Sequence, residues 1–92
     1  MNKSDLIERV AESTQHRKRD VEEVVNLIFR SMKEALVNDE RIEIRGLGSF
    51  HVKQREARVG RNPKSGTQVD IPDRKIPFFK AGRELRARLN KK

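Results

Sequence analysis

The chain is short and rich in charge. It has 92 residues, of which 34% are hydrophobic and 39% are charged, with a net charge of +8 and no cysteine. This length predicts one domain (1–92) with a small core, and the lack of cysteine excludes a disulfide framework and a thiolate metal site. No apolar run reaches transmembrane length and the N-terminus lacks a hydrophobic stretch, so we expect no signal peptide and no membrane partner. The lack of cysteine fits a reducing cytoplasm.

The charge is unevenly distributed along the sequence. Residues 1–44 contain 8 basic and 10 acidic side chains, whereas residues 45–92 contain 14 basic and 4 acidic ones. This segregation indicates an anionic partner that contacts the second half, and nucleic acid is the first candidate. An anionic membrane surface is the weaker candidate, because no basic segment has a broad apolar helical face.

Residues 1–39 are predicted to form two helices. Asn2 as N-cap with Asp5 three residues later predicts a first helix over 3–13. No good capping residue marks where the second helix begins, but its body is clear and ends near Asn38. Its apolar residues recur at helical spacing: Val21, Val24, Val25, Ile28, Phe29, Met32, Ala35 and Leu36.

This apolar stripe is too wide for one short partner helix to cover. We therefore expect a core shared between the helices and a second subunit, which is the usual remedy for a chain with few apolar residues. The alternative is that the sheet of the same chain covers the stripe. The predicted dimer core consists of Val25, Ile28, Phe29, Met32, Leu36, Leu47, Phe50 and Phe79.

Residues 40–80 are predicted to form a sheet that carries a long arm at about 53–75. Alternating apolar residues indicate strands over 41–44, 50–59 and 68–75. Asn62-Pro63 followed by Gly66, which we expect at positive φ, is a turn signal. Pro72 cannot donate a ladder hydrogen bond, so we expect it at an edge or a bulge.

The predicted arm is basic along its length. Residues 55–67 contain four basic side chains and one acidic side chain, Glu56. The basic ones are Arg55, Arg58, Arg61 and Lys64. Such a segment cannot bury itself, and eight extended residues span about 25 Å, enough to follow a groove of duplex DNA. Guanidinium groups suit the narrow and strongly negative minor groove.

The end of the chain returns to the body of the protein. The sequence I-P-F-F at residues 76–79 supplies aromatic side chains, and we expect one of Phe78 and Phe79 in the core and the other partly exposed. A short helix follows from Arg83 to about Asn90, within a C-terminal part at 81–92.

Several motifs occur together in a fixed order. They are G-L-G-S-F at residues 46–50, Arg55, Arg58 and Gly60, R-N-P-K at 61–64, Gly66, and P-F-F-K-A-G-R-E-L at 77–85. With the order helix, helix, three strands with an arm, helix, they resemble the bacterial HU and integration host factor family of histone-like DNA-bending proteins. Leu47 and Ser65 depart from the phenylalanine and threonine usual there.

The resemblance implies an α+β fold: two N-terminal helices forming an intertwined dimer core, a three-stranded antiparallel sheet with a protruding β-hairpin arm, and a short C-terminal helix. It implies an architectural protein that bends and compacts double-stranded DNA in the nucleoid of the bacterial cytoplasm. Two arms lie in the minor groove and Pro63 wedges between base pairs, the mode of action already known for this family.

The sequence R-I-E-I-R-G at residues 41–46 looks more like an integration host factor subunit than a typical HU. Two readings therefore stay open: a homodimer that binds DNA broadly, as HU does, or a subunit with sequence preference that pairs with a paralogous chain. About eight neutralised phosphates per dimer would give a slope of log K against log salt near −7.

The predicted DNA-binding residues lie on the arm and around its base, where cations contact phosphates and Gly60 permits close backbone approach or a bulge. They are Arg45, Lys53, Arg55, Arg58, Gly60, Arg61, Asn62, Pro63, Lys64, Lys75, Lys80, Arg83 and Arg86.

Other functions have less support in the sequence. His16 and His51 are expected at the surface, and no motif pairs them with a nucleophile, so we expect no enzyme activity, cofactor, metal or small-molecule substrate. A small basic RNA-binding protein is the main alternative, although the chain has only four Phe and no Trp or Tyr for stacking on bases. A protein-binding adaptor that uses the hairpin edge would bind almost independently of salt.

Overall fold

The computed structural model describes residues 1–91 and has the predicted α+β order of elements. The chain divides into two compact units, Met1–Ala35 and Leu36–Lys92. Among residues 1–91, no helix is both long and apolar enough to cross a bilayer. The elements are α1 (Lys3–Thr14), α2 (Lys18–Val37), β1 (Ile42–Ile44), β2 (Gly48–Arg55), β3 (Arg58–Arg61), β4 (Gln68–Ile71), β5 (Arg74–Ala81) and α3 (Arg83–Leu89).

The first helix begins at the predicted capping box. The Asn2 side chain accepts a hydrogen bond from the Asp5 backbone N–H at 2.9 Å, and the Asp5 carboxylate accepts one from the Asn2 N–H at 3.0 Å. The helix ends at Thr14, one residue later than expected, and Gln15 closes it in the left-handed region at φ 56°.

The first unit has a small core. Ile7, Val21 and Val25 are buried, and partly buried apolar residues of both helices pack against them. Further along the stripe, Val24 and Ile28 still expose 55% and 50% of their surface. The first helix therefore covers only part of the apolar stripe on α2, and an apolar groove of about 370 Å³ remains between the two helices.

The second unit contains the predicted three-stranded antiparallel sheet, in the order β1-β2-β5. Phe50 pairs with Ile42 on one side and with Phe79 on the other. The turn between β1 and β2 requires glycine at position 48, which has φ 153° and whose added Cβ would collide with the Lys80 carbonyl oxygen.

The arm differs from the prediction in one respect. We expected unbroken strands over 50–59 and 68–75, but β2 ends at Arg55 and β4 ends at Ile71, so the hairpin consists of two separate ladders. The interruption contains Pro72, which cannot donate a ladder hydrogen bond. Pro72 was expected at an edge or a bulge, whereas it lies in a gap between the two ladders, which we call the joint of the arm.

The register of β2 and β5 separates their side chains into two faces, because directly opposite residues share a face. The apolar face carries the pairs Phe50–Phe79, Val52–Pro77 and Gln54–Lys75. The basic face carries the pairs Ser49–Lys80, His51–Phe78, Lys53–Ile76 and Arg55–Arg74.

Part of the apolar face borders Leu36 and Val37, the first residues of the second unit. Phe50 and Phe79 have ring centroids 4.8 Å apart, and Leu36 and Val37 line a hollow with Val52 on this face. Phe79 nevertheless exposes 41% of its surface and Phe78 exposes 40%. The expectation that one of the two phenylalanines is buried in the core is therefore wrong for the single chain, because both rings keep about two fifths of their surface exposed.

Candidate nucleic-acid interface

The tip of the arm is a closed turn that presents Pro63. The Asn62 side-chain oxygen accepts a hydrogen bond from the Lys64 N–H at 2.9 Å, and the Asn62 carbonyl accepts one from the Gly66 N–H at 2.8 Å. Asn62 also donates its N–H to the Thr67 carbonyl at 2.8 Å. Gly66 has φ 71°, as predicted. These bonds fix the exposed Pro63 ring at the end of the arm.

The two arginines of β3 point to opposite sides of the arm, since successive side chains of a strand alternate. Arg58 lies opposite Ile71, and Arg61 lies opposite Gln68. A Cβ at Gly60 would lie 2.8 Å from the Ile71 Cδ1 atom, the flexible end of that side chain, so an alanine there would require only a shift of the Ile71 side chain. A contact of Gly60 with DNA stays a prediction.

The joint of the arm concentrates arginine. Arg55, Arg58 and Arg74 line a hollow of about 510 Å³ there with one acid, Glu56. Arg55 and Arg74 are directly opposite in the ladder, and neither has an ion-pair partner among the described residues. Arg74 was not among the predicted residues, because only the strand register places it across from Arg55.

A second basic hollow of about 320 Å³ lies at the other end of the basic face. It brings together three predicted residues, Arg45, Lys80 and Arg86, although they belong to three different segments of the chain. Arg41 joins them and was missed, since its position before β1 gave no signal in the sequence. Its Nε lies 3.1 Å from the Glu43 carboxylate.

The structure separates Lys75 from the other predicted residues. Lys75 pairs with Gln54 on the apolar face, and its Nζ lies 2.8 Å from the Asp39 carboxylate. Arg83, at the first turn of α3, does not line either basic hollow. DNA contacts by Lys75 and Arg83 therefore stay predictions with no geometric support.

One histidine differs from its expected position. His16 is exposed, as predicted, but His51 is half-buried on the basic face and its Nδ1 is buried without a hydrogen-bond partner. Its ring centroid lies 5.2 Å from that of Phe78. Within residues 1–91, no group of three or more His, Asp or Glu side chains is placed to hold a metal ion.

The predicted dimer-core residues are divided between the two units. Val25, Ile28, Phe29 and Met32 belong to the first unit, and Leu36, Leu47, Phe50 and Phe79 belong to the second. Of these, Val25 is buried, whereas Ile28 and Leu47 expose 50% and 39% of their surface.

Residues 1–90 match the family described as bacterial DNA-binding protein. The chain belongs to this family, that of HU. Its fold matches that of Anabaena HU in a cocrystal structure with DNA, with a TM-score of 0.89, 33% sequence identity and full coverage of both chains. HU from Thermotoga maritima matches with a TM-score of 0.70 at 30% identity, over 98% of this chain and 100% of that chain. A point mutant of that protein matches with a TM-score of 0.72 at 32% identity and the same coverage.

Membership of the HU family confirms the resemblance seen in the motifs and the predicted α+β fold. The matched residues include the whole arm and both basic hollows. The family consists of DNA-binding proteins, and none of these relatives supports the RNA-binding alternative.

Proposed function

We propose that this HU-family chain acts as a dimeric architectural protein that bends and compacts double-stranded DNA in the bacterial nucleoid. The observation that carries the proposal is the arm: a closed tip holds Pro63 exposed, and Arg58 and Arg61 extend to both sides behind it. It is a non-enzymatic function that needs no cofactor.

The arm is suited to the minor groove because it carries basic side chains along its whole length. A narrow groove concentrates negative potential, and arginine is the side chain that best exploits it. Since Arg58 and Arg61 lie on opposite faces of β3, each can reach a different wall of the groove. Contacts of this kind position the protein without reading base edges.

Pro63 acts at the end of the arm as an apolar wedge. An opened base step offers an apolar surface, and a proline ring fits it because proline carries no N–H that would lose a hydrogen bond there. The hydrogen bonds around Asn62 fix the turn before DNA arrives, so little conformational entropy is lost on insertion. The unstacked step then allows the duplex to bend.

The basic face and its two hollows hold the flanks of the bent duplex. Arg45, Lys80 and Arg86 surround one hollow, and Arg55, Arg58 and Arg74 surround the other. Each cation that neutralises a phosphate releases condensed counterions, so binding weakens steeply as salt rises.

A second subunit completes the protein. The half-exposed Val24, Leu27 and Ile28 leave an apolar strip on α2 that an isolated small domain would not stabilise. We propose that two chains cover these strips mutually, which also supplies two arms to one DNA segment. The second chain is either another copy or a paralogous subunit.

The bend is tested by energy transfer between dyes at the ends of a short duplex. Pro63→Ala should lower the transfer efficiency of the bound complex more than it lowers the affinity, because the wedge is lost but the cations stay. Lys64→Gln is the matched control at the same tip, and it should weaken the affinity and leave the bend of bound complexes intact. An unchanged bend with Pro63→Ala would overturn the wedge.

The specificity is tested by selecting bound duplexes from a random-sequence pool with this chain alone. An enriched consensus would mean that a homodimer recognises sites through DNA shape. A flat pool with firm binding would mean a general DNA packer. Absence of binding would indicate a required partner subunit, and preference for structured RNA at matched salt would favour the RNA-binding alternative.

A further inference from the structure

The basic face contains an exposed aromatic ring at its centre. Phe78 lies opposite His51 in the ladder between β2 and β5, and the two ring centroids are 5.2 Å apart. The Lys53 ammonium group lies 3.7 Å from the centroid of the Phe78 ring. Phe78 still exposes 40% of its surface. The Phe78 ring thus contacts His51 and Lys53, and its exposed part remains accessible to a ligand.

The surroundings of this ring are cationic. Lys80 and Ser49 form the next pair toward one end of the face, and Lys53 lies in the next pair toward the other end, followed by Arg55 and Arg74. Phe79, the adjacent residue, points to the apolar face, where it contacts Phe50. The alternation of the strand therefore places one of two consecutive phenylalanines among cations.

We propose that Phe78 contacts the deoxyribose edges of bound DNA, between phosphates that the surrounding cations hold. This inference rests on the proposed function. A sugar–phosphate backbone alternates charged phosphates with apolar sugar edges, and the basic face alternates cations with an apolar ring in the same way. The complementarity in charge identifies the occupant as the DNA backbone, since an apolar protein partner would leave the surrounding cations desolvated and unpaired.

Lys53 is part of the same contact. A cation above an aromatic ring is attracted to the ring's negative face, so Phe78 holds the Lys53 side chain in place. The ammonium group can still donate hydrogen bonds to a phosphate, because the ring satisfies none of its donors fully. Phe78 therefore both contacts the sugar and positions a phosphate-binding cation.

The sharpest test uses fluorescence, because the chain has no Trp and no Tyr. Phe78→Trp introduces a single indole on the basic face, and Glu22→Trp introduces one at an exposed position of α2 in the first unit. Glu22 belongs neither to the predicted dimer core nor to the basic face. Titration with duplex DNA should change the emission of Phe78→Trp and leave that of Glu22→Trp nearly constant.

The energetic test measures affinity over a series of salt concentrations. Covering half of the exposed surface of Phe78 removes roughly 40 Å² from water, which corresponds to about fivefold in affinity for each contact. A dimer that makes two such contacts should therefore bind roughly 25-fold more weakly as Phe78→Thr at every salt concentration. Phe78→Leu keeps an apolar side chain and should stay within about twofold of the wild type. Threonine is favoured in strands, and a melting curve checks that the variant is folded.

The outcomes separate this inference from the proposed function. If the wild type binds duplex DNA but the emission of Phe78→Trp does not change, or changes no more than that of Glu22→Trp, the sugar contact is refuted and the proposed function stands. Unchanged affinity with folded Phe78→Thr refutes it as well. If the wild type does not bind duplex DNA in an anisotropy assay, the proposed function itself is refuted, and the sugar contact with it.

Discussion

Arg55 and Arg74 lie directly opposite each other where the ladder between β2 and β5 ends. Like charges in this position repel and destabilise a sheet. With Arg58 they line the hollow at the joint of the arm, where Glu56 is the one acid. An arrangement that is unfavourable in the free protein becomes favourable when a phosphate lies between the two guanidinium groups.

We therefore predict that Arg74→Gln weakens DNA binding and leaves the fold intact. Each phosphate contact contributes about −0.9 to the slope of log K against log salt, so a dimer that loses two contacts should show a slope shallower by roughly 2. Removal of the repulsion should keep the free energy of unfolding equal to or above that of the wild type. Arg30→Gln, an exposed site on α2, is the control and should leave the slope unchanged.

We predict that Asp39→Asn strengthens DNA binding if Lys75, which lies on the apolar face and outside both basic hollows, contacts a phosphate. The Asp39 carboxylate lies 2.8 Å from the Lys75 ammonium group and competes with phosphate for it. Because both side chains are more than half exposed, the free energy of unfolding should change by less than about 1 kcal/mol. Asparagine also tolerates the left-handed backbone at this position, φ 59°.

The control for Asp39→Asn is Glu8→Gln. It breaks the exposed ion pair between Lys18 and Glu8, whose charged atoms lie 3.2 Å apart in the first unit. Filter binding at two salt concentrations should show tighter binding for Asp39→Asn alone. Equal affinities for the wild type and Asp39→Asn would mean that Lys75 does not contact DNA.

Gly48→Ala is expected to destabilise the protein strongly. Gly48 has φ 153°, and a Cβ there would collide with backbone of β5, so the strained turn and the clash add together. A loss of about 3 kcal/mol or more in the free energy of unfolding follows, measured by urea denaturation at a fixed protein concentration. Gly66 has φ 71°, but no atom lies within 4 Å of an added Cβ. Gly66→Ala should therefore lower the free energy of unfolding by about 1 kcal/mol through backbone strain alone.

Ile28→Lys should prevent dimer formation. Ile28 exposes half of its surface within the apolar strip on α2, and a lysine in a covered strip would bury an unpaired charge. Sedimentation equilibrium should give a dimer for the wild type and a monomer for Ile28→Lys, with weak DNA binding. Glu22→Lys, an exposed change on the same helix, should remain dimeric. A wild-type monomer that binds DNA tightly would contradict the proposed assembly.

Local patterns in the sequence were sufficient for most elements. The Asn2–Asp5 capping box, the apolar spacing on α2 and the turn at Asn62-Pro63 each depend on neighbouring residues, and each appears in the structure. The joint of the arm was harder to predict. Pro72 signalled an irregularity in one strand, but the loss of pairing at Glu56 and Ala57 depends on which distant segment lies opposite them, and that has no local signal.

The sequence by itself determined the family, the order of elements and a basic arm with proline at its tip, because these follow from residue type and spacing. The tertiary structure decided which cations act together. Arg74 lies opposite Arg55 because antiparallel register pairs distant residues. Arg41, Arg45, Lys80 and Arg86 line one hollow because the fold brings the two ends of β1, the end of β5 and α3 together. The same register separates Phe78 from Phe79 and removes Lys75 from the basic face, since the side chains of a strand alternate.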